Sequence, residues 1–167
     1  MQQRKRAAIG SLVFFALAPG TVAGLVPYWL SDGWQSTAAH WYLRVPGALL
    51  IGAGLVVLIQ AFVRFVVDGL GTPAPVAPTK HLVVTGFYRY VRNPMYVAIV
   101  AIIVGQALWF AHWGLLAYAA IAWAGPALFV RFYEEPTLAR TFGAEYDEYR
   151  RNVPAWLPRL RPWNSLH

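Results

Sequence analysis

An uninterrupted stretch without charge constrains this chain more than any other feature. Residues 94–130 contain no Asp, Glu, Lys or Arg, which is 37 residues in a row. A membrane-spanning helix needs about 20 apolar residues, so this stretch is too long for one span. We therefore expect a helical hairpin that turns near Ala111-His112-Trp113. Each arm of about 17 residues reaches ~25 Å at ~1.5 Å per residue, which barely crosses a bilayer.

Two further apolar runs precede the hairpin. Residues 7–30 and 45–63 carry no charged side chain, and both are long enough to approach or exceed one span. The whole chain is 58% hydrophobic and only 13% charged, with a mean hydropathy of +0.45. Soluble domains are about 45–50% apolar and about 25% charged. The sequence thus predicts an all-α, polytopic membrane helix bundle with about four transmembrane helices.

The first run also resembles a secretory signal peptide. Arg4-Lys5-Arg6 precedes it, and Ala16-Leu17-Ala18 is similar to a cleavage site. The apolar run continues well past that site, which favours an uncleaved helix. Gly20 and Gly24 form a G-x-x-x-G that lets another helix approach closely, or they are simply tolerated beside a proline. In the second run, Ala48 and Gly52 give a similar small face.

The basic residues are distributed unevenly along the chain. With four spans, both termini and the 64–92 segment share one side, which then holds 13 of the 14 Lys and Arg residues and leaves only Arg44 opposite. By the positive-inside rule this side is cytoplasmic, so we expect an inner (plasma) membrane protein with both termini in the cytoplasm. The net charge of +7 therefore indicates topology and contact with membrane lipids, not nucleic-acid binding.

We treat the chain as a single integral-membrane domain, 1–167, in four parts. Residues 1–68 hold two spans, 69–93 a cytoplasmic connector that begins Gly/Pro-rich, 94–135 the hairpin and 136–167 a cytoplasmic tail. In the tail, an apolar stripe at helical spacing predicts an amphipathic helix on the membrane surface or under the bundle. The stripe consists of Phe142, Tyr146, Tyr149 and Val153.

Metal chemistry is not expected. The chain has no cysteine, and its four histidines are isolated in the sequence, without the paired spacing of a zinc or di-iron site.

Polar residues cluster on both sides of the hairpin, in segments 80–93 and 131–151. One segment enters the hairpin and the other leaves it, so the topology brings them together. Asn93-Pro94 is a typical helix start, with Asn as N-cap and Pro as the first helical residue, and Arg92 beside it favours an anion. Glu134 and Glu135 are adjacent helical residues about 100° apart, so we expect only one of them to face inward, unless both are simply solvated.

These segments carry a resemblance to a known superfamily. G-F-Y-R-Y-V-R-N-P-M-Y at 86–96 and E-E-P-T-L-A-R-T-F-G-A-E-Y-D-E-Y-R-R-N-V-P-A-W-L-P-R at 134–159 flank the apolar hairpin. The pair resembles the isoprenylcysteine carboxyl methyltransferase and phospholipid methyltransferase superfamily, over about half the chain. The superfamily's R-H-P-x-Y motif corresponds to Arg92, Asn93, Pro94 and Tyr96, with Asn93 in place of the histidine. A role that needs a titrating imidazole is therefore not expected at this position.

The resemblance implies an S-adenosylmethionine-dependent methyltransferase that acts on a lipophilic or lipid-anchored small molecule at the cytoplasmic membrane face. Its implied catalytic residues are Arg92, Glu134 and Glu135. Its implied cofactor-binding residues are Tyr88, Arg92, Asn93, Pro94, Tyr96, Arg131, Glu134 and Glu135. The methyl acceptor stays open among a prenylcysteine carboxylate, a phospholipid amine, a thiol and a small lipophile.

Two other functions compete with this one. Membrane steroid and sterol reductases, which use NAD(P)H, have a C-terminal pattern similar to E-E…F-G-x-x-Y-x-x-Y, but the chain is short for them and R-N-P-M-Y favours the methyltransferase. A non-enzymatic small membrane protein, such as a transporter or scaffold, is the third alternative. It predicts polar residues at mid-membrane, where the spans offer little beyond Gln60 and Gln106.

Overall fold

The computed structural model describes residues 17–35, 40–69 and 81–164, and within these ranges the regular structure is helical. Residues 17–30 are helical and include a π-helical turn at Thr21–Leu25, followed by α1 at Val26–Leu30. Next come α2 at Trp41–Gly69, a 3₁₀ turn at Gly86–Arg89, and α3 at Pro94–Phe110. The hairpin continues with α4 at Gly114–Phe129 and a second π-helical turn at Val130–Glu134. Two short helices follow, α5 at Glu135–Phe142 and α6 at Ala144–Asn152.

Two of the described helices are long and apolar enough to cross a membrane, fewer than the four spans predicted. They are Trp41–Phe65 and Gly114–Phe142, the second running continuously through the π turn. Only 22% and 17% of their most apolar windows are buried, so most of this surface is available to lipid and neither helix is the core of a soluble domain. The third predicted span, Pro94–Phe110, is apolar but has 17 residues, because Asn93-Pro94 and the Ala111 turn limit it.

The hairpin forms where the uncharged stretch predicted it. Ala111 takes a left-handed conformation (φ 51°) at the end of α3, and α4 starts at Gly114. Buried Ile103, Ala107, Leu115 and Ala119 join the two arms.

Helices α2 and α3 cross at glycines. A Cβ on Gly47 would stand 2.8 Å from the Gly105 carbonyl oxygen, and a Cβ on Gly105 would stand 2.8 Å from that of Gly47. Backbones this close leave no room for a side chain at either position. The small faces predicted at Gly20, Gly24 and Gly52 make no such approach, since a Cβ at each would have no atom of the described residues within 4 Å. Gly20 and Gly24 therefore fit the alternative of glycines that are simply tolerated in the helix.

The tail differs from the single amphipathic helix predicted for it. Gly143, with φ 51°, separates α5 from α6, and Val153 is already extended. Even so, the predicted stripe is the buried face: Tyr146, Tyr149 and Val153 form a cluster against which Phe142 packs. The glycine bends the chain so that two short helices cover the end of the bundle.

Two sequence predictions fall on residues outside the described ranges. The first part of the first apolar run lies in residues 1–16, together with the basic residues on which the competing signal-peptide interpretation depends. Most of the Gly/Pro-rich connector lies in residues 70–80. Helix α2 continues beyond the second apolar run, to Gly69.

Candidate active site

The entry to α3 is fixed by the C-terminal segment. Asn93 holds the N-cap position and Pro94 is the first residue of the helix, as predicted, but the Asn93 side chain caps no backbone N–H. Its Nδ2 instead donates a 3.0 Å hydrogen bond to the Ala155 carbonyl oxygen. The Arg92 backbone N–H donates to the Pro154 carbonyl oxygen at 2.9 Å. Asn93 has a side chain suited to N-capping, but here that side chain links the two motif segments instead.

The second π turn separates the two glutamates. The Glu135 N–H donates to the carbonyl oxygen of Val130, five residues earlier, in place of the usual i−4 partner. Glu134 then faces an apolar cavity, while Glu135 faces a group of arginines. Sequence reasoning expected one inward and one outward glutamate. The structure places both against the interior, in different surroundings.

Glu135 is the buried centre of an ionic cluster. Its Oε1 accepts a 2.7 Å bond from Arg92 Nη1, and its Oε2 lies 3.7 Å from Arg150 Nη2 and 3.9 Å from Arg131 Nη1. The same Arg92 Nη1 donates to the Tyr146 hydroxyl oxygen at 3.0 Å. Only the Arg92 contact is short and largely buried on both sides, so this pair holds the Arg92 guanidinium in place.

Glu134 has no comparable partner. Its Oε2 is buried and makes no hydrogen bond to any residue that the structure describes. The Arg92 Nε is also buried and makes no hydrogen bond to any residue that the structure describes. A buried polar atom without a hydrogen bond costs free energy, and such atoms in native proteins commonly mark a bound water or ligand. The two atoms therefore indicate where a polar ligand group would be stabilised.

The cavity beside Glu134 has a volume of about 200 Å³ and a mainly apolar lining. We call it the chamber. The polar side of the chamber is made by Tyr88, Arg92, Asn93, Tyr96 and Glu134. Its apolar side comes from the first described helix and from α2, α3 and α4. These residues are Ala18, Pro19, Val22, Phe65, Pro94, Met95, Ile99, Ala122 and Pro126.

A second cavity of about 230 Å³ lies on the other side of Arg92, and we call it the cleft. It contains Arg92, Arg131, Arg150 and a single carboxylate, Glu135, so it carries an excess of positive charge. Small-molecule sites usually enclose ~300–1,000 Å³. Neither cavity reaches that size, and Arg92 lines both of them.

The predicted site residues are therefore gathered at one end of the bundle, divided between two cavities. Six line the chamber: Tyr88, Arg92, Asn93, Pro94, Tyr96 and Glu134. Arg131 and Glu135 line the cleft, which Arg92 also reaches. Arg92 lines both cavities, and a third cavity of about 30 Å³ is lined by Arg92, Asn93, Glu134 and Glu135 together. The roles of these residues stay predictions.

Sequence reasoning missed several residues of the site. Arg150 and Trp156 line the cleft, and neither was predicted as a site residue. Phe65 lines the chamber from α2, outside both motifs. The spacing of Tyr146, Tyr149 and Val153 was a usable signal for Arg150, because Arg150 follows Tyr146 by four residues and so lies on nearly the same helix face. Within the described residues, no group of three or more His, Cys, Asp or Glu side chains is arranged to hold a metal ion.

Comparison with known proteins supports the resemblance found in the motifs. A family model described as phospholipid methyltransferase matches residues 42–145, which is more than half of the chain. The match runs from α2 to the start of α6 and includes Arg92, Asn93, Pro94, Tyr96, Glu134 and Glu135. No curated protein sequence matches the chain significantly.

Proposed function

Because the chain belongs to the phospholipid methyltransferase family, we propose that it is an integral-membrane methyltransferase that uses S-adenosylmethionine. We further propose that it acts on a lipophilic or lipid-anchored acceptor at the cytoplasmic face of the plasma membrane. The family match supports the methyltransferase class, and the two membrane-length apolar helices support membrane association.

One observation carries the proposal furthest. The buried, unpartnered Oε2 of Glu134 faces an apolar chamber at the N-terminus of α3. A carboxylate in such surroundings favours a ligand that brings a cationic group or a hydrogen-bond donor. Both reactants of the proposed reaction are suitable, because the cofactor has an ammonium and ribose hydroxyls and several acceptors carry a proton on the nucleophile.

The residues present fit the cofactor's chemistry. When bound, S-adenosylmethionine supplies an electrophilic methyl group on a sulfonium. Arg92 and Arg131 would hold the methionyl carboxylate by charge-assisted hydrogen bonds, as the positive excess of the cleft favours. Tyr88 and Tyr96 would contact the cationic part through their rings. Glu135 would act indirectly on the cofactor, because its carboxylate holds the Arg92 guanidinium in place.

Methyl transfer requires little covalent chemistry from the protein itself. The nucleophile must approach in line with the methyl–sulfur bond, and water must be kept out. The apolar chamber wall excludes water and accepts an acyl or prenyl chain, while Glu134 orients the acceptor's polar end. The chamber takes residues from the first described helix and from α4, so an acceptor would enter sideways from the bilayer.

The rival reductase and the proposed methyltransferase bind different cofactors, so a binding experiment distinguishes them. We expect calorimetry on the purified protein in detergent to detect S-adenosylhomocysteine binding and no NADPH binding. Arg92→Ala should weaken S-adenosylhomocysteine binding ~10–150-fold, which corresponds to the ~1.5–3 kcal/mol of a hydrogen bond to a charged group. Arg92→Lys keeps the charge but lacks the planar fork, so we expect an intermediate loss.

Arg140→Ala is the matched control, because Arg140 is an exposed arginine of α5. Among the described residues its guanidinium makes one hydrogen bond, to the Thr137 hydroxyl oxygen at 3.4 Å. The Arg140→Ala variant should bind S-adenosylhomocysteine as tightly as the wild type does. Binding of NADPH without S-adenosylhomocysteine would support the reductase instead. Binding of neither ligand would favour a non-enzymatic membrane protein.

A further inference from the structure

The segment after α6 has no helix, yet it is held firmly against the bundle. We call residues 153–163 the tail loop. Its Arg159 N–H donates to the Tyr90 carbonyl oxygen at 3.0 Å, and its Trp163 N–H donates to the Arg89 carbonyl oxygen at 2.9 Å. Arg89 Nε returns a 2.8 Å bond to the Trp163 carbonyl oxygen. Together with the bonds to Pro154 and Ala155 described above, these contacts give the loop a fixed conformation.

The tail loop reaches along the apolar surface of the hairpin. The Trp156 ring packs against the ring of Trp123 in α4, with centroids 5.9 Å apart, and near that of Tyr96 at 6.4 Å. Trp123 precedes the end of α4 by about two turns, which is ~10 Å along the helix. Part of the loop therefore lies beside the membrane-spanning surface and not beyond its end.

The outer surface of the tail loop is apolar and basic. Leu157 is 80% exposed and Leu160 is 99% exposed, although both lie in a segment held by backbone hydrogen bonds. Arg159 and Arg161 stand on either side of Leu160. Two leucines so exposed in a loop held by hydrogen bonds favour a surface that is covered by something else. Leu157, Leu160 and the exposed Arg161 match a membrane interface, where leucines reach acyl chains and an arginine reaches lipid phosphates. The Arg159 guanidinium instead donates to the Asn152 carbonyl oxygen at 2.7 Å.

From this arrangement we infer that the tail loop is a membrane-inserted element. Leu157 and Leu160 enter the headgroup–acyl boundary of the leaflet on the basic side of the protein, and Arg161 contacts anionic headgroups there. The position of Trp156 beside Trp123 selects the bilayer over a protein partner, because it makes the loop continuous with the lipid-facing surface of the span. This inference stands independently of the proposed enzymatic activity.

The chain contains no cysteine, so single cysteines can report on the loop directly. Leu157→Cys and Leu160→Cys are each labelled with an environment-sensitive NBD dye in the full-length protein. The protein is placed in vesicles of phosphatidylcholine and phosphatidylglycerol. We expect a blue-shifted dye emission that is quenched by doxyl-labelled lipids and protected from aqueous iodide. Glu145→Cys, at an exposed position of α6, is the control and should show the opposite pattern.

A second variant tests the charge. Arg161→Gln in the Leu160→Cys protein should lose part of the doxyl quenching in vesicles with phosphatidylglycerol and none in pure phosphatidylcholine. Unchanged quenching in both vesicles would overturn the role of the arginine. Dyes at 157 and 160 that are quenched by iodide and not by doxyl lipids would overturn the insertion itself and leave the face free for a protein partner.

Discussion

Gln106 of α3 donates a 2.7 Å hydrogen bond from its Nε2 to the carbonyl oxygen of Ala23, inside the first π turn. Its Oε1 accepts a 3.1 Å bond from the Trp34 indole, so both ends of the buried amide are used. On the neighbouring arm, the Tyr118 hydroxyl donates to the Val22 carbonyl oxygen at 2.9 Å. Side chains of the hairpin thus bind backbone carbonyls of the π turn and fix the first described helix, which forms one wall of the chamber.

Gln106→Leu should destabilise the protein by ~1 kcal/mol, because it removes two hydrogen bonds of the kind that average ~0.6 kcal/mol each between membrane helices. The substitution leaves the Trp34 indole without its acceptor and the Ala23 carbonyl without its donor. Thermal melts in detergent measure the effect. Gln35→Leu is the control, because Gln35 is exposed, and it should melt like the wild type.

Alanine at the glycine crossing should separate α2 from α3. In Gly47→Ala the new methyl would meet the Gly105 carbonyl oxygen at 2.8 Å, and backbone atoms cannot move aside cheaply. We expect a loss of ~1–3 kcal/mol, as for overpacked cores. Gly52→Ala lies in the same helix with no atom within 4 Å of the added methyl, so it should gain ~0.5–1 kcal/mol from helix propensity. Equal melting temperatures for the two variants would contradict this account of the crossing.

The two glutamates should respond oppositely to the same substitution. Glu135→Gln removes the charge that three arginines surround and should cost about 3 kcal/mol of stability, as for a broken buried ion pair. Glu134→Gln removes a carboxylate with an unpartnered oxygen, so the melting temperature should stay the same or rise. If the proposed function is right, Glu134→Gln lowers methyl transfer at least about tenfold, the ~1.5 kcal/mol of one charge-assisted hydrogen bond. Full activity in Glu134→Gln would move the site elsewhere.

A buried tyrosine makes stability depend on pH in the alkaline range. Burial raises the pKa of Tyr149, whose hydroxyl donates to the Tyr88 carbonyl oxygen at 2.7 Å. Below the unfolded-state pKa of ~10 the contribution of this group is fully present, and it is lost as the pH rises further because the unfolded chain deprotonates first. Tyr149→Phe should therefore cost ~1 kcal/mol at neutral pH and progressively less above pH ~10. Melts of both proteins at several alkaline pH values measure the difference.

The predicted orientation of the chain is testable by reporter fusions. We expect a fusion at His167 to report the cytoplasm and a fusion after Asp32 to report the opposite side, because 13 of the 14 basic residues share a side under the four-span topology. A periplasmic signal at His167 would refute this topology. It would also place the tail loop in the other leaflet.

The sequence predicted the hairpin and the meeting of the two polar segments, because the absence of charge over 94–130 and the shortness of a span leave few alternatives. It also placed Asn93 and Pro94 correctly at the start of α3. It did not reveal which small residues let helices touch. G-x-x-x-G spacing pointed to Gly20 and Gly24, whereas the contact involves Gly47 and Gly105, since helix crossing depends on how whole surfaces fit.

The detailed arrangement of the candidate site could not be predicted from the sequence, for a related reason. Neighbouring residues on a regular helix point about 100° apart, and that rule underlay the expectation of one inward glutamate. A π turn breaks the regularity, and nothing in V-R-F-Y-E marks it. The contribution of Arg150 and Trp156 likewise depends on the Gly143 bend and on the path of the tail loop.

The π turn at Val130–Glu134 also has a consequence for how this site tolerates change. It accommodates one residue more than an α-helical turn between the same flanking helices. Loss of one residue from this turn would restore an ordinary helical turn and leave α4, Glu135 and the tail loop in place. A single-codon deletion in 130–133 should therefore preserve the fold. The same deletion within α4 or α5, where no extra residue is present, would turn everything that follows by about 100° and remove Glu135 from its arginines.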